Sequence, residues 1–241
     1  MSTQVVVLAG GRATRLGPLA EHTPKVLQPI AGRPFLDVLL HSLADRGVER
    51  VHLCLGHLAD RVKDHLRSGT LPPQPPHITT STEPGEAGTA GALLAAAEHL
   101  DEVFVVAMGD THIDLDWPGL VSRLPDRALG LMVVTHHPSG PPPNVAVYDG
   151  IVRAYDKRGV PGGLTDTGVT VLRKEALRLV AHRTSSVDLG ELFRRLVQES
   201  ALAAVAVDSR FYDIGTPERI QTFQDRLMDT SPQYRQKRIT C

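Results

Sequence analysis

The run Val5-Val-Val-Leu-Ala9 breaks off at Gly10-Gly11. Such a short β-branched and apolar run, with no polar residue to face water, reads as a strand buried in a sheet. The glycine pair makes it feed a loop that lies close to whatever the strand points at. The same beat recurs along the first half. Phe35 to Leu43 carries apolar residues at helical spacing (Phe35, Leu36, Leu39, Leu40, Leu43), with Gly47 as a stop. Arg50 to Leu55 is a second strand, Ala59 to Arg67 a helix, His77 to Thr82 a strand, Ala90 to Leu100 a helix and Val103 to Met108 a strand. Prolines 72, 73, 75 and 76 confine Leu71 to His77 to a surface loop. Strand and helix in alternation predict an α/β fold, a mostly parallel mixed sheet flanked by helices.

The second half changes character. Leu129 to Thr135 is a strand, and Asn144 to Tyr148 and Ile151 to Tyr155 flank Asp149-Gly150, a two-residue hairpin signal. Gly168 to Leu172 and Leu202 to Val207 read as strands; Lys174 to Ala181, Leu189 to Gln198 and Thr216 to Leu227 read as helices, the last with Pro217 in its first turn. One domain over residues 1–229 is expected, split into halves of about 1–125 and 126–229, with the hairpin in a small sub-domain over the first half and a polar tail at 230–241.

Charge narrows the classes of function. The formal net charge is −1, without the basic excess of a protein that lives on nucleic acid or an anionic membrane. No apolar run approaches the roughly 20 residues that span a bilayer. The chain starts without a basic n-region or cleavage site, and its cysteines, Cys54 and Cys241, do not suggest a disulfide, so a cytoplasmic location is expected.

Around Gly10-Gly11 the loop adds Arg12 and Arg15, and Thr23-Pro24-Lys25 brings another cation. Free amides with several fixed positive charges suit a triphosphate. A glycine pair also serves a plain tight turn, and neither the Walker loop nor the G-x-G-x-x-G dinucleotide pattern is present. The longer stretch Leu8-Ala-Gly-Gly-Arg-Ala-Thr-Arg-Leu-Gly-Pro-Leu19, with Pro24-Lys25, Leu27 and Pro29 after it, resembles the signature of the sugar-phosphate nucleotidyltransferases, G-G-x-G-T-R-L-x-P-L and then P-K-x-L-x-P. Ala13 departs from it, standing where the family has glycine; a left-handed backbone there would strain alanine by about 1 kcal/mol or more.

The resemblance covers Val5 to about Leu227 and implies a Rossmann-like nucleotidyltransferase fold. It also implies roles. Leu8, Ala9, Gly10, Gly11 and Thr14 would bind the nucleotide, while Arg15 and Lys25 would carry the chemistry. The segment from Glu83 to Leu93 resembles the family's Gly-Thr-Ala/Gly-Gly turn against base and ribose, giving Gly88, Thr89, Ala90 and nearby Glu83. A helix N-terminus there would offer free N–H groups, although Thr89 has a sufficient use as a cap. Asp110, at the end of a buried strand where α/β sheets bind ligands, and Asp213, in Phe211-Tyr-Asp-Ile-Gly-Thr-Pro-Glu218, would hold Mg²⁺. Two carboxylates at one site repel unless a cation lies between them.

On the acceptor side the resemblance implies Lys157, Asp166 and Asn144 as sugar-phosphate contacts. Asp156-Lys157 stands where relatives often have Glu-Lys, and Asp166-Thr-Gly168 where many have Asn-Thr-Gly. The implied reaction joins an NTP to a sugar 1-phosphate and releases pyrophosphate. The compact length is similar to the short members that act on heptose 1-phosphate or N-acetylmuramate 1-phosphate, and heptose 1-phosphate with GTP is the first expectation. The alternatives are a same-fold cytidylyl- or guanylyltransferase with a non-sugar acceptor and a non-catalytic subunit that binds nucleotide-sugar. A homo-oligomer is compatible with the sequence and not specified by it.

Overall fold

The computed structural model describes residues 2–68, 71, 74–83, 85–137, 142–182 and 186–230. The expected polar tail from residue 231, Pro72, Pro73 and Cys241 lie outside them. In chain order the elements are β1 (Gln4–Leu8), β2 (Pro29–Ile30), β3 (Arg33–Pro34), α1 (Phe35–Asp45), β4 (Arg50–Leu55), α2 (Ala59–Arg67), β5 (His77–Thr82), α3 (Gly88–Ala95) and β6 (Val103–Met108). Then come β7 (Thr111–Ile113), α4 (Trp117–Ser122), β8 (Gly130–Thr135), β9 (Val145–Tyr148), β10 (Ile151–Tyr155) and β11 (Thr165–Arg173). The chain continues through α5 (Leu189–Gln198), β12 (Leu202–Val207), β13 (Phe211–Asp213) and α6 (Pro217–Thr230).

One nine-stranded sheet runs β5-β4-β1-β6-β11-β8-β12-β10-β9. The pairs β5/β4, β4/β1, β1/β6 and β8/β12 are parallel; those made by β11 and β10 are antiparallel. Only β11 and β10 therefore run against the other strands, which meets the expectation of a mostly parallel mixed sheet. Side chains alternate across it, as the two-residue strand period requires. Val5 and Val7 enter one core with α1, α2, α4 and α6, whereas Val6 and Leu8 enter a second with α3 and α5. Both faces are covered, which is why β1 could carry no polar residue toward solvent. The hairpin β9-β10, turned by Asp149 (φ 52°) and Gly150 (φ 69°), continues this sheet at its far edge.

Some local expectations needed correction. The helix expected over Ala90 to Leu100 begins at Gly88 and ends at Ala95, with a 3-10 turn at Ala97–His99. Lys174–Leu179 is 3-10 rather than α-helix. β11 starts three residues earlier than expected: Thr165 and Asp166 already pair with Thr135 and Val134, ahead of an irregularity that contains Gly168 (φ 78°). The three-residue strands β7 and β13 were too short to show a period. No described helix is long and apolar enough to cross a membrane.

Candidate active site

The C-terminal ends of β5, β4, β1 and β6 line up along one side of a cleft of about 450 Å³. Backbone bonds draw the ends together: Ala9 N–H to Cys54 O (2.8 Å), His57 N–H to Gly10 O (3.0 Å) and Gly109 N–H to Leu8 O (2.9 Å). A β-carbon on Gly109 would lie 2.5 Å from Leu8 O and wedge the strands apart, and one on Gly10 would push against Glu83 Oε1 at 2.7 Å. Gly11 meets nothing within 4 Å and faces open cleft. Ala13 is left-handed (φ 53°, ψ 38°), and its carbonyl accepts from Leu16 N–H at 2.9 Å to open the 3-10 turns Thr14–Ala20. Buried Gln28 ties down the far side of the loop through Leu19 O (2.7 Å) and Thr23 O (3.2 Å). Leu8 through Arg15 all line the cleft. Arg15 comes near Gly215, where a β-carbon would stand 3.5 Å from its Nη2.

Asp110 follows Gly109 at the end of β6, and Lys25 Nζ donates to its Oδ2. The pair is mostly enclosed, with 14% of the lysine and 22% of the aspartate side chain exposed. β7 and β13 bring the second carboxylate alongside. Asp213 stands opposite Thr111 in that ladder, and Ile214 N–H donates to Asp110 O at 3.0 Å. Two residues a hundred positions apart thus become neighbours. Asp213 is already engaged: Arg219 Nη1 donates to Oδ1 and Oδ2 at 3.0 and 2.9 Å, and Gly215 N–H to Oδ1 at 2.8 Å. Asp110 lines the cleft and Asp213, held by Arg219, does not; carboxylates are hard oxygen donors that fit a hard divalent cation, with phosphate oxygens to complete its shell. Among the described residues no third His, Cys, Asp or Glu joins them. Arg219, which the sequence reading passed over, must yield for Asp213 to take part.

At the other end of the row, Glu83 follows β5. Its Oε1 fills the notch between Gly10 and Gly56, and among the described residues its Oε2 is buried without a hydrogen-bond partner. Burial, and secondarily the charge of Glu86, raises its pKa. Gly88 (φ 78°) starts α3 hard against the segment 186–189, where a β-carbon would lie 2.5 Å from Val187 O. That carbonyl takes the N–H groups of Ala90 (2.9 Å) and Gly91 (3.1 Å), Val187 N–H reaches Ala87 O (2.8 Å), and Thr89 Oγ1 accepts from Leu189 N–H (2.7 Å). The expectation that this helix start offers free amides is therefore corrected: the segment before α5 already uses two of them. Gly88 and Thr89 line the cleft, whereas Ala90 is fully buried outside it.

A smaller cavity of about 180 Å³ adjoins the cleft, sharing Thr89 and Met108 and walled by Tyr155, Lys157, Asp166 and Gly190. Asp166 Oδ1 accepts from Gly168 N–H at 2.8 Å; burial still pushes its carboxyl up to about 6, against the pull of that amide and of Lys157. Asn144, expected beside the sugar, lines neither cavity. Its Oδ1 is taken by Asp166 N–H at 2.9 Å, so it supports Asp166 from behind. Asp156, which stands in the family's glutamate position, is bound by Arg158 (2.8 Å) and turns away from Lys157. Lys157 Nζ instead donates to Asp188 Oδ2 at 3.0 Å. The sequence reading missed Asp188 because an Asp before an apolar helical stretch reads as a cap, which it also is: Oδ1 accepts from Glu191 N–H at 3.0 Å.

Comparison with known proteins agrees with this arrangement. A family model described as the MobA-like NTP transferase domain matches residues 5–196. A Sulfolobus acidocaldarius protein whose assigned name is mannose-1-phosphate guanyltransferase is 29% identical over 88% of this chain, which spans only 59% of that protein. The D-glycero-alpha-D-manno-heptose 1-phosphate guanylyltransferase of Campylobacter jejuni is 26% identical over 89% of this chain and 96% of its own length. The crystal structure of HddC from Yersinia pseudotuberculosis complexed with GMP-PN superposes with a TM-score of 0.78 at 25% identity, covering 93% of this chain and 99% of that one.

Proposed function

This chain belongs to the MobA-like NTP transferase domain family, and from that premise we propose that it condenses an NTP with a sugar 1-phosphate to give an NDP-sugar and pyrophosphate, with Mg²⁺ as the divalent cation. The observation that carries the proposal is the line of strand ends itself. A glycine loop with Arg15 sits at the end of β1, and the Lys25–Asp110 pair sits beside it at the end of β6. Cations around an oxygen-lined cleft suit transfer between phosphates.

The attacking oxygen belongs to the sugar phosphate. Its second pKa is about 6, so it is anionic at neutral pH and needs no general base. It forms a bond to the α-phosphorus as the bond to the pyrophosphate oxygen breaks. The obstacle is bringing two anions into line and stabilising the charge on the departing group. Free amides at Gly10 and Gly11, with Thr14 and Arg15, hold the triphosphate. Lys25 turns from Asp110 to the α-phosphate, and Lys157 holds the incoming phosphate at the smaller cavity. Asp110, and Asp213 if freed from Arg219, would hold a divalent cation, which would supply charge neutralisation at the phosphates.

GTP is the preferred nucleotide. Glu83 and Asp110 lie three inter-strand steps apart along the sheet, about 14 Å at the usual strand spacing. They flank opposite ends of the cleft, one for the base and one for the phosphates. An ionised carboxylate only accepts hydrogen bonds, and guanine presents two adjacent N–H donors where uracil presents one between carbonyls. Glu83, at the end of β5, lines the cleft and supports that match. The two guanylyltransferase relatives make mannose and heptose 1-phosphates the first acceptors to try, heptose ahead because the match spans 96% of that relative against 59% of the other.

The experiment is a pyrophosphate-release panel with purified protein, Mg²⁺, each NTP and a set of sugar 1-phosphates (heptose, mannose, glucose, N-acetylmuramate). Release with one pair establishes the reaction and names both substrates. Silence with NTP still bound favours a binding-only subunit, and silence without NTP binding overturns the reading of the glycine loop.

A further inference from the structure

The two halves of the cleft meet at the segment 186–189. Its backbone is hydrogen-bonded to the start of α3 on the nucleotide side, through Val187 to Ala87, Ala90 and Gly91 and through Leu189 to Thr89. Its one acidic side chain, Asp188, reaches the other way to Lys157. We propose that Asp188 is a positioning residue for the acceptor: it fixes Lys157 at a set place relative to the nucleotide subsite, so that the sugar phosphate is gripped in line with the α-phosphate. The inference rests on the proposed role of Lys157.

Three observations favour positioning over a purely structural use. The pair is half-exposed, with 56% of the lysine and 48% of the aspartate side chain in solvent, and ion pairs of that kind add little to stability. The approach is closely fitted: a β-carbon on Gly190 would lie 3.0 Å from both Asp188 Oδ1 and Lys157 Cε and 3.4 Å from the Tyr155 ring, so a larger residue there would press on both partners of the pair. Finally, the acidic neighbour beside Lys157 in sequence, Asp156, is bound by Arg158, and Asp188 takes its place from a different element.

The two oxygens of Asp188 do separate jobs, which makes them separable. Asparagine caps helices about as well as aspartate, so Asp188→Asn keeps the bond to Glu191 N–H and removes the charge that holds Lys157. With the substrate pair that releases pyrophosphate fastest in the panel, Asp188→Asn should raise KM for the sugar 1-phosphate about tenfold. KM for the NTP and the melting temperature should stay at wild-type values. Asp188→Ala should match it in KM but melt lower. Wild-type acceptor KM in Asp188→Asn, with Lys157→Ala raising it, overturns the inference and leaves the proposed function standing. Equal weakening of both substrates with a lower melting temperature also overturns it, as a structural effect. An unaffected Lys157→Ala variant removes the acceptor assignment and the inference together, and a silent panel removes the function itself.

Discussion

Lys25 Nζ donates to Asp110 Oδ2 in the floor of the cleft, joining the loop after β1 to the end of β6. In the proposed reaction this pair would part, Lys25 to the α-phosphate and Asp110 to the divalent cation. Lys25→Ala is expected to lower kcat/KM by ~10²–10³-fold, as for loss of one group that stabilises transition-state charge, while near-UV circular dichroism stays native. Turnover within a few-fold of wild type takes Lys25 out of the chemistry.

Ala13 has φ 53°, a region that costs an L-residue with a β-carbon roughly 1–2 kcal/mol. Glycine removes that cost and gives back part of the gain through a more flexible unfolded chain. Ala13→Gly should therefore stabilise by up to ~1 kcal/mol, or about 2–4 °C in Tm for a chain of this size. Differential scanning calorimetry checks it, and a lower Tm would mean that the loop relaxes away from the left-handed geometry.

Glu83 tests the base. Replacing a carboxylate oxygen with an amide sets a donor against one of guanine's donors. Glu83→Gln should lower kcat/KM for GTP about 10²-fold and leave UTP much less affected. The readout is the GTP/UTP ratio in pyrophosphate release; an unchanged ratio places the base elsewhere.

Asp166 gives a pH signature. Its carboxyl is raised from 3.8 to about 6 by burial, so between those values the folded state holds a proton that the unfolded state has lost. Stability from this group is present below pH 3.8 and falls as pH rises through about 6. Asp166→Asn removes that fall. The variant should gain on the order of 1 kcal/mol over wild type at pH 7–8 and lose the advantage near pH 4. Denaturant melts at the two pH values measure the difference, and a constant difference would mean that Asp166 is charged throughout.

Much was legible in the sequence because it was written locally. The unbroken apolar runs at β1, β4 and β6 required strands covered on both faces, and Gly10-Gly11 required a close backbone approach. Asp149-Gly150 set the hairpin turn, and the loop from Leu8 to Lys25 carried the family resemblance. Each of these depends on neighbours a few residues apart, where propensity and period act. Only the tertiary structure decided which side chain meets which across the cleft. β7 and β13, too short to show a period, set Asp213 beside Asp110; Arg219 then takes the Asp213 carboxylate. Val187 closes the helix start that the sequence left open, and Asp188 rather than Asp156 partners Lys157. These are contacts between groups some 6 to 103 residues apart, and any of several carboxylates could have met either cation. Chain geometry, through the strand order and the path of segment 186–189, made the choice, because an ion pair forms where the backbone delivers both partners within about 3 Å and sequence proximity alone does not.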